Sequence, residues 1–326
     1  MTTLPRIGLT LGDPGGIGPE IVLKSLAGKP CLPPAHYVVF GTRRFLEREA
    51  GTLGMDLSGG TPGGRRVRGT LEIRDIAAGP GAGRRGAATA AGGLASFRYF
   101  EAAVAEARGG KLDAVVTAPI SKSAWALAGR RWRGHTEYLA RFYPGAIMAF
   151  WSASLKVALV SHHVSLRAAV GRIRKAALLK FIMALDRCLA GTAPGRFAFA
   201  VAGLNPHAGE NGLLGREEID QVRPAVEAAR RLGIKIEGPF PPDVVFRSAV
   251  GRKDLFVIAL YHDQGLIPFK LLAFETGVNV SLGLPFVRTS PDHGTAFDIA
   301  GRNLADHRSM VAAIRLAGEL SARRTR

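Results

Sequence analysis

Short apolar runs of five to seven residues alternate along this chain with longer stretches of helical period. IGLTLG (7–12), YVVFG (37–41), DAVVTA (113–118), IMAFW (147–151), KVALVS (156–161), FAFAVAG (197–203), LFVIALY (255–261) and VNVSLG (278–283) read as strands. They are nearly continuous in Val, Ile, Leu, Phe and Ala, the pattern of strands covered on both faces. Ser96 to Arg108, Ser165 to Ala190, Arg216 to Leu232 and Asp306 to Ala322 read as helices. Such alternation predicts an α/β fold with a mostly parallel sheet, in which ligands sit beyond the carboxyl ends of strands. At 326 residues the chain is long for one core, so two domains sharing a cleft are expected.

The polar chemistry collects in four clusters, most of them just after one of these runs. GHTEYLA carries His135, LVSHHVSL carries His162 and His163, GLNPHAGENG carries His207, and LYHDQGL carries His262. One such histidine is ordinarily a satisfied polar residue; several at strand ends point to a metal. Three imidazoles suit Zn, Co, Fe or Ni and leave open positions for a substrate oxygen. No HExxH occurs, so the ligands have to converge from separate strands, with Asp263 or main-chain carbonyls orienting the rings. Lys270, Asn279 and Arg288 follow at intervals of about nine residues; near a metal they fit an anionic substrate carrying phosphate or carboxylate, and otherwise a solvated rim. Thr136 offers a hydroxyl for anion capture or for capping a helix, with Glu137 favouring the cap. Glu217, Glu218 and Asp220 stand where a helix starts and read as dipole-stabilising carboxylates. Trp125, Trp132 and Trp151 read as packing.

Two glycine-rich loops differ in weight. Gly81-Ala82-Gly83-Arg84-Arg85-Gly86 matches GxGxxG, but the strand before it, LEIRDI, is charged, and DAVVTAPISK beyond lacks the acid that would hold a ribose. GDPGGIGPE (12–20) directly follows the first strand; its glycines allow close backbone approach and Pro19-Glu20 opens a helix. No Walker A motif is present.

Composition narrows the classes. Hydrophobic content of 47% with 21% charged residues is that of a globular, soluble chain. The longest mostly apolar stretch free of charge, Phe142 to Leu155, is too short to span a bilayer. No secretory signal is read at the N-terminus, and two cysteines, Cys31 and Cys188, fit a reduced cytoplasm. The net charge of +18 raises nucleic acid as a partner. However, the arginines are scattered in short clusters such as Arg65-Arg66 and Arg84-Arg85, with no interleaved aromatics to stack bases, so no nucleic-acid partner is expected.

GDPGGIGPEI, TAPISK, GHTEYLA, LNPHAGENGLLGREE, YHDQGLIPFK and VNVSLGLPFVRTSPDHGTAFDIAG, in this order from about Ile7 to Gly301, resemble the 4-hydroxythreonine-4-phosphate dehydrogenase family of pyridoxal-phosphate biosynthesis. The resemblance implies two α/β/α domains of the isocitrate and isopropylmalate dehydrogenase kind. We place them at 1–125 plus 275–326 and at 126–274, the second carrying the metal-ligand histidines. It implies NAD, with NADP as the alternative, bound without a GxGxxG loop. It also implies a homodimer whose active site lies at the subunit interface. A divalent metal (Zn, Mg or Co) is held by three histidines, one from the partner chain; by motif these fall on His163, His207 and His262. Substrate contacts fall on His135, Thr136, Lys270, Asn279 and Arg288.

The expected reaction is oxidation of the C3 hydroxyl of 4-phosphooxy-L-threonine, then loss of CO2 to give 3-amino-2-oxopropyl phosphate. Lys270 and Asp243 are the candidate bases. One motif departs from the family: His162-His163-Val164-Ser165 stands where Thr-His-(Ile or Leu)-Pro is usual. That keeps a dehydrogenase of D-threonate or D-erythronate 4-phosphate as the alternative, and a phosphate acyltransferase-like enzyme as the second.

Overall fold

A computed structural model of the chain describes residues 4–27, 32–55, 69–190, 192 and 196–324. Cys31 and the Arg65-Arg66 pair lie outside the described residues. The fold is mixed α/β. Its strands are β1 (Arg6–Thr10), β2 (Ala35–Gly41), β3 (Gly69–Asp75), β4 (Ala114–Thr117), β5 (Ile147–Trp151), β6 (Lys156–Leu159), β7 (Ala198–Ala202), β8 (Ile236–Phe240), β9 (Leu255–Ala259), β10 (Val278–Leu282) and β11 (Val287–Pro291). Its helices are α1 (Gly18–Ala27), α2 (Arg43–Leu53), α3 (Ala90–Arg108), α4 (Lys122–Leu127), α5 (His135–Ala140), α6 (Leu166–Arg172), α7 (Lys175–Leu189), α8 (Arg223–Arg231), α9 (Pro242–Ala249), α10 (His262–Ala273) and α11 (Arg308–Arg324). The chain divides into two compact units, Met1–Pro144 with Leu284–Arg326, and Gly145–Gly283.

In the first unit the strand order is β3-β2-β1-β4-β11, and every neighbouring pair is parallel. The order reverses between β1 and β4, so the carboxyl ends of these two strands form the switch point where doubly wound sheets bind ligands. The GDPGGIG loop occupies that place: Asp13 N–H donates to Pro119 O beyond β4. A Cβ on Gly12, at φ +65°, would lie 2.2 Å from the same carbonyl oxygen, so only glycine fits. The GxGxxG segment instead follows the edge strand β3 and packs on that loop from outside, with Gly86 N–H donating to Gly15 O.

In the second unit the order is β10-β5-β6-β9-β7-β8. The pairs β10/β5 and β5/β6 are antiparallel; β6/β9, β9/β7 and β7/β8 are parallel. Met148, Phe150, Val157, Leu159, Val257, Leu266 and Phe269 share its core. Leu266 and Phe269 come from α10, which packs on β6 and β9; each such side chain contributes about 1.5–3 kcal/mol by burial. Contact is close enough that a Cβ on Gly265 would fall 2.8 Å from both Leu159 Cδ2 and Val157 Cγ1.

Several elements differ from the sequence reading. The helix expected over Ser165 to Ala190 is two helices, because Ile173 (ψ 89°) and Arg174 leave helical geometry and Lys175 N–H is taken by Gln221 Oε1. The helix expected from Arg216 opens instead with a π turn, Glu218–Val222. α3 starts at Ala90 rather than Ser96, because the Thr89 side chain caps it by accepting from Gly92 N–H. β8 and β11 carry no apolar run: β8 is an edge strand with Gly238 and Pro239, and β11 is wholly buried yet reads VRTSP.

Candidate active site

Two clusters carry the chemistry, one in each unit. In the first, β4 and β11 are in register so that Arg288 pairs with Val115. Side chains alternate along a strand, so Arg288 shares a face with Thr117, two residues past Val115. The Arg288 guanidinium is buried and donates to Thr117 Oγ1 (2.7 Å) and to His135 Nδ1 (3.1 Å). Burial lowers its pKa to about 10. His135 opens α5 and lies against Phe100 (ring centroids 4.4 Å) and edge-on to Trp125 (5.6 Å). Burial, then the Arg288 charge, hold its pKa well below the usual imidazole value, so the ring is neutral. Since Nδ1 accepts from Arg288, the proton resides on Nε2, which is buried with no hydrogen-bond partner among the described residues. A buried cation and a spare N–H beside it form a ready seat for an anion. Thr136 follows in the same helix. It does not cap: the N-cap is Gly134, which has no side chain to offer. Arg288 is likewise no solvated rim residue, at 3% exposure.

In the second unit the histidine-bearing turns follow β6, β9 and β7, three adjacent parallel strands. Their ends are stitched together. Ser161 Oγ donates to Leu260 O (2.9 Å), Gln264 Oε1 accepts from Leu260 N–H (2.7 Å), and Gln264 Nε2 donates to Gly203 O (2.6 Å). His163 and His262 come together with ring centroids 5.8 Å apart; His162 stands perpendicular to His163. Two imidazoles have a carboxylate on Nδ1: His262 with Asp263 (2.6 Å) and His207 with Glu210 (3.2 Å). This leaves Nε2 of each as the outward ligand atom, the donor arrangement of metal-bound histidines. His163 and His207 both have φ near +50° although neither is glycine, a strained backbone found disproportionately at functional sites. Among the described residues no three His, Cys, Asp or Glu groups lie close enough together to hold an ion.

The sequence profile of the family described as pyridoxal phosphate biosynthetic protein PdxA matches residues 34–317. The chain belongs to this family. A D-threonate 4-phosphate dehydrogenase of Cupriavidus necator is 43% identical over 98% of this chain and 98% of its own. A 4-hydroxythreonine-4-phosphate dehydrogenase of Desulforapulum autotrophicum is 42% identical over 96% and 94% respectively. The crystal structure of a 4-hydroxythreonine-4-phosphate dehydrogenase from Klebsiella pneumoniae superposes with a TM-score of 0.84 at 39% identity, covering 98% of this chain and 99% of that one. A PdxA-family dehydrogenase is therefore the frame for the remaining residues.

Lys270 and Asn279 belong to the second unit, Lys270 half-buried on α10 and Asn279 on β10 opposite Phe150. Asp243 is exposed in the first turn of α9, which packs against the His207 turn. The sequence reading passed over two groups, Thr117 and Asp13, and gave a third, Glu218, a different role. Thr117 engages Arg288, and its only sequence signal is its place at the end of a strand. Asp13 is buried, and burial lifts its carboxyl to about 6 against the lowering effect of the Gly15 N–H bond. Its Oδ2 and Thr10 Oγ1 are buried without partners among the described residues. Glu218 is not a solvated dipole carboxylate: it is buried at 1% exposure and accepts from Leu204 and Asn205 ahead of His207.

Proposed function

We propose that this PdxA-family chain oxidises 4-phosphooxy-L-threonine with NAD at the C3 hydroxyl and releases CO2 to leave 3-amino-2-oxopropyl phosphate. The observation that carries this reading is the buried Arg288–His135 pair, a neutral, pre-oriented Nε2–H beside a desolvated cation, which suits a phosphorylated substrate. His135, Thr136, Arg288, Lys270 and Asn279 bind the anionic groups. Thr117 holds the guanidinium in its fork geometry. His163, His207 and His262 hold a divalent ion, with one of the three supplied by the partner subunit; the carboxylates on His207 and His262 support that assignment. When bound, the ion would stabilise negative charge on substrate oxygens, and the nicotinamide would supply the hydride acceptor. Lys270 or Asp243 takes the hydroxyl proton. The C1–C2 bond then breaks, CO2 leaves, and the same base returns a proton to carbon.

A homodimer agrees with the exposed apolar face of α10. Ile267, Leu271 and Phe274, spaced at about one turn, are 61%, 82% and 68% exposed, an apolar row of the kind that a partner surface covers. The isocitrate dehydrogenase-like arrangement belongs to the same reading.

One observation favours a second substrate, D-threonate 4-phosphate: a dehydrogenase of that compound is 43% identical to this chain. The loop at His163 carries His162 and Ser165 in place of the usual Thr and Pro, and Ser165 caps α6 by accepting from Ala168 N–H. The test is NADH formation with each phosphorylated substrate, NAD against NADP, with and without chelator. Turnover of 4-phosphooxy-L-threonine that stops on chelation is expected. Faster turnover of D-threonate 4-phosphate moves the chain to the second substrate, and undiminished activity after metal stripping discards the mechanism.

A further inference from the structure

We infer that Glu218 is a positioning residue for His207, clamping the loop that carries it into a left-handed turn and so setting where the imidazole points. This rests on the reading of His207 as a metal ligand. His207, Ala208, Gly209, Glu210 and Asn211 have φ of +52°, +54°, +83°, +44° and +54°, five consecutive residues in left-handed geometry of which only one is glycine. L-residues avoid that region because Cβ crowds the following carbonyl oxygen, so the surroundings must impose the turn. The turn closes on itself through Ala208 N–H to Asn205 O and Leu214 N–H to Gly209 O. What anchors it lies thirteen residues beyond Asn205. Glu218 Oε1 accepts from Leu204 N–H and Asn205 N–H, both at 2.7 Å, and Oε2 accepts from Asn205 Nδ2 at 2.9 Å. Glu217 Oε2 takes the same amide nitrogen at 2.8 Å. A Cβ on Gly209 would lie 2.7 Å from Glu218 Oε2, so the middle of the turn rests on the carboxylate. Glu218 also begins the π turn ahead of α8, a rare geometry that recurs at functional sites. One buried side chain thus joins the start of the loop, its centre and its end.

Every bond Glu218 makes to the loop is as an acceptor. Glutamine keeps the shape but has a single acceptor oxygen. With that oxygen on the two main-chain N–H groups, its amino group faces Asn205 Nδ2, donor against donor. The test is Zn2+ titration by calorimetry on the purified full chain, with metal-free thermal melts, for wild type, His207→Ala, Glu218→Gln and Asn205→Ala. Glu218→Gln is expected to weaken Zn2+ binding about tenfold or more, the scale of lost support to a ligating side chain, with a melt close to wild type. Asn205→Ala, which leaves both main-chain bonds to Glu218, is expected to weaken it several-fold and decides the matter if Glu218→Gln does not fold. Wild-type Zn2+ affinity in Glu218→Gln or Asn205→Ala, alongside weakened binding in His207→Ala, overturns the positioning role and leaves the ligand assignment standing. Wild-type affinity in His207→Ala removes both.

Discussion

Gly265 and Gly171 both sit inside helices, and replacing each with alanine separates what helix propensity does from what packing does. In a free helix both changes gain about 0.5–1 kcal/mol, because alanine loses less backbone freedom than glycine on folding. At Gly171, in α6, nothing lies within 4 Å of the new Cβ, so that gain is kept. At Gly265, in α10, the new Cβ meets Leu159 Cδ2 and Val157 Cγ1 at 2.8 Å and Ala259 Cβ at 3.0 Å. Val157 is stiff about χ1 and an alanine Cβ cannot turn away, so the helix must lift from β6 and β9. Such overpacking costs about 1–3 kcal/mol; the net for Gly265→Ala is a loss of up to about 2.5 kcal/mol once the helix gain is subtracted. For a unit the size of 145–283, each kcal/mol moves Tm by roughly 2–4 °C. Gly265→Ala is expected to melt up to about 10 °C below wild type and Gly171→Ala about 1–4 °C above it, by scanning calorimetry or far-UV circular dichroism. Because α10 begins at His262 and carries Lys270, Gly265→Ala is also expected to lower kcat/KM while Gly171→Ala leaves it unchanged. A Gly265→Ala protein that melts at or above wild type refutes the packing argument.

Arg288→Met removes a buried cation from the anion seat, and kcat/KM is expected to fall roughly ten- to a hundredfold, the equivalent of one charge-assisted bond of about 1.5–3 kcal/mol; an unchanged KM for the phosphorylated substrate would show that the anion binds elsewhere. Asp13 titrates near 6 in the fold against 3.8 when unfolded, so the native state holds the proton longer and the carboxyl destabilises the fold as pH rises through that window. Asp13→Asn should therefore gain on wild type by about 3 kcal/mol between pH 4 and 6 and no further above it, measured by chemical denaturation; a gap independent of pH contradicts the burial account. Leu271→Glu combined with Phe274→Glu places two charges on the bare face of α10 and is expected to yield monomer by size-exclusion chromatography with light scattering, whereas an intact dimer would put the interface on another face.

The parts of the fold legible in the sequence are those that local chemistry decides. Continuous apolar runs such as IGLTLG and LFVIALY can be buried on both faces only as inner strands, and β1 and β9 are such strands. α10 was not legible as a helix, since HDQGLIPFKLLA holds a glycine and a proline; close packing on β6 and β9 calls for the first, and the helix absorbs the second. β8 escaped because edge strands tolerate Gly and Pro. β11 escaped because an arginine in a buried strand contradicts the apolar pattern. Gln264 stands beside His262 and Asp263 in sequence, yet its amide is structural, joining the ends of β9 and β7.

The order of residues alone determined the α/β class and the placement of polar groups where strands end, because strand burial and the chemistry of each side chain are local properties. Only the tertiary structure decided that Arg288 is desolvated beside a neutral His135, that His163 faces His262, and that a glutamate eleven residues beyond His207 holds its loop in left-handed geometry. Those are consequences of strand order and of desolvation, and both depend on which distant segments of the chain become neighbours.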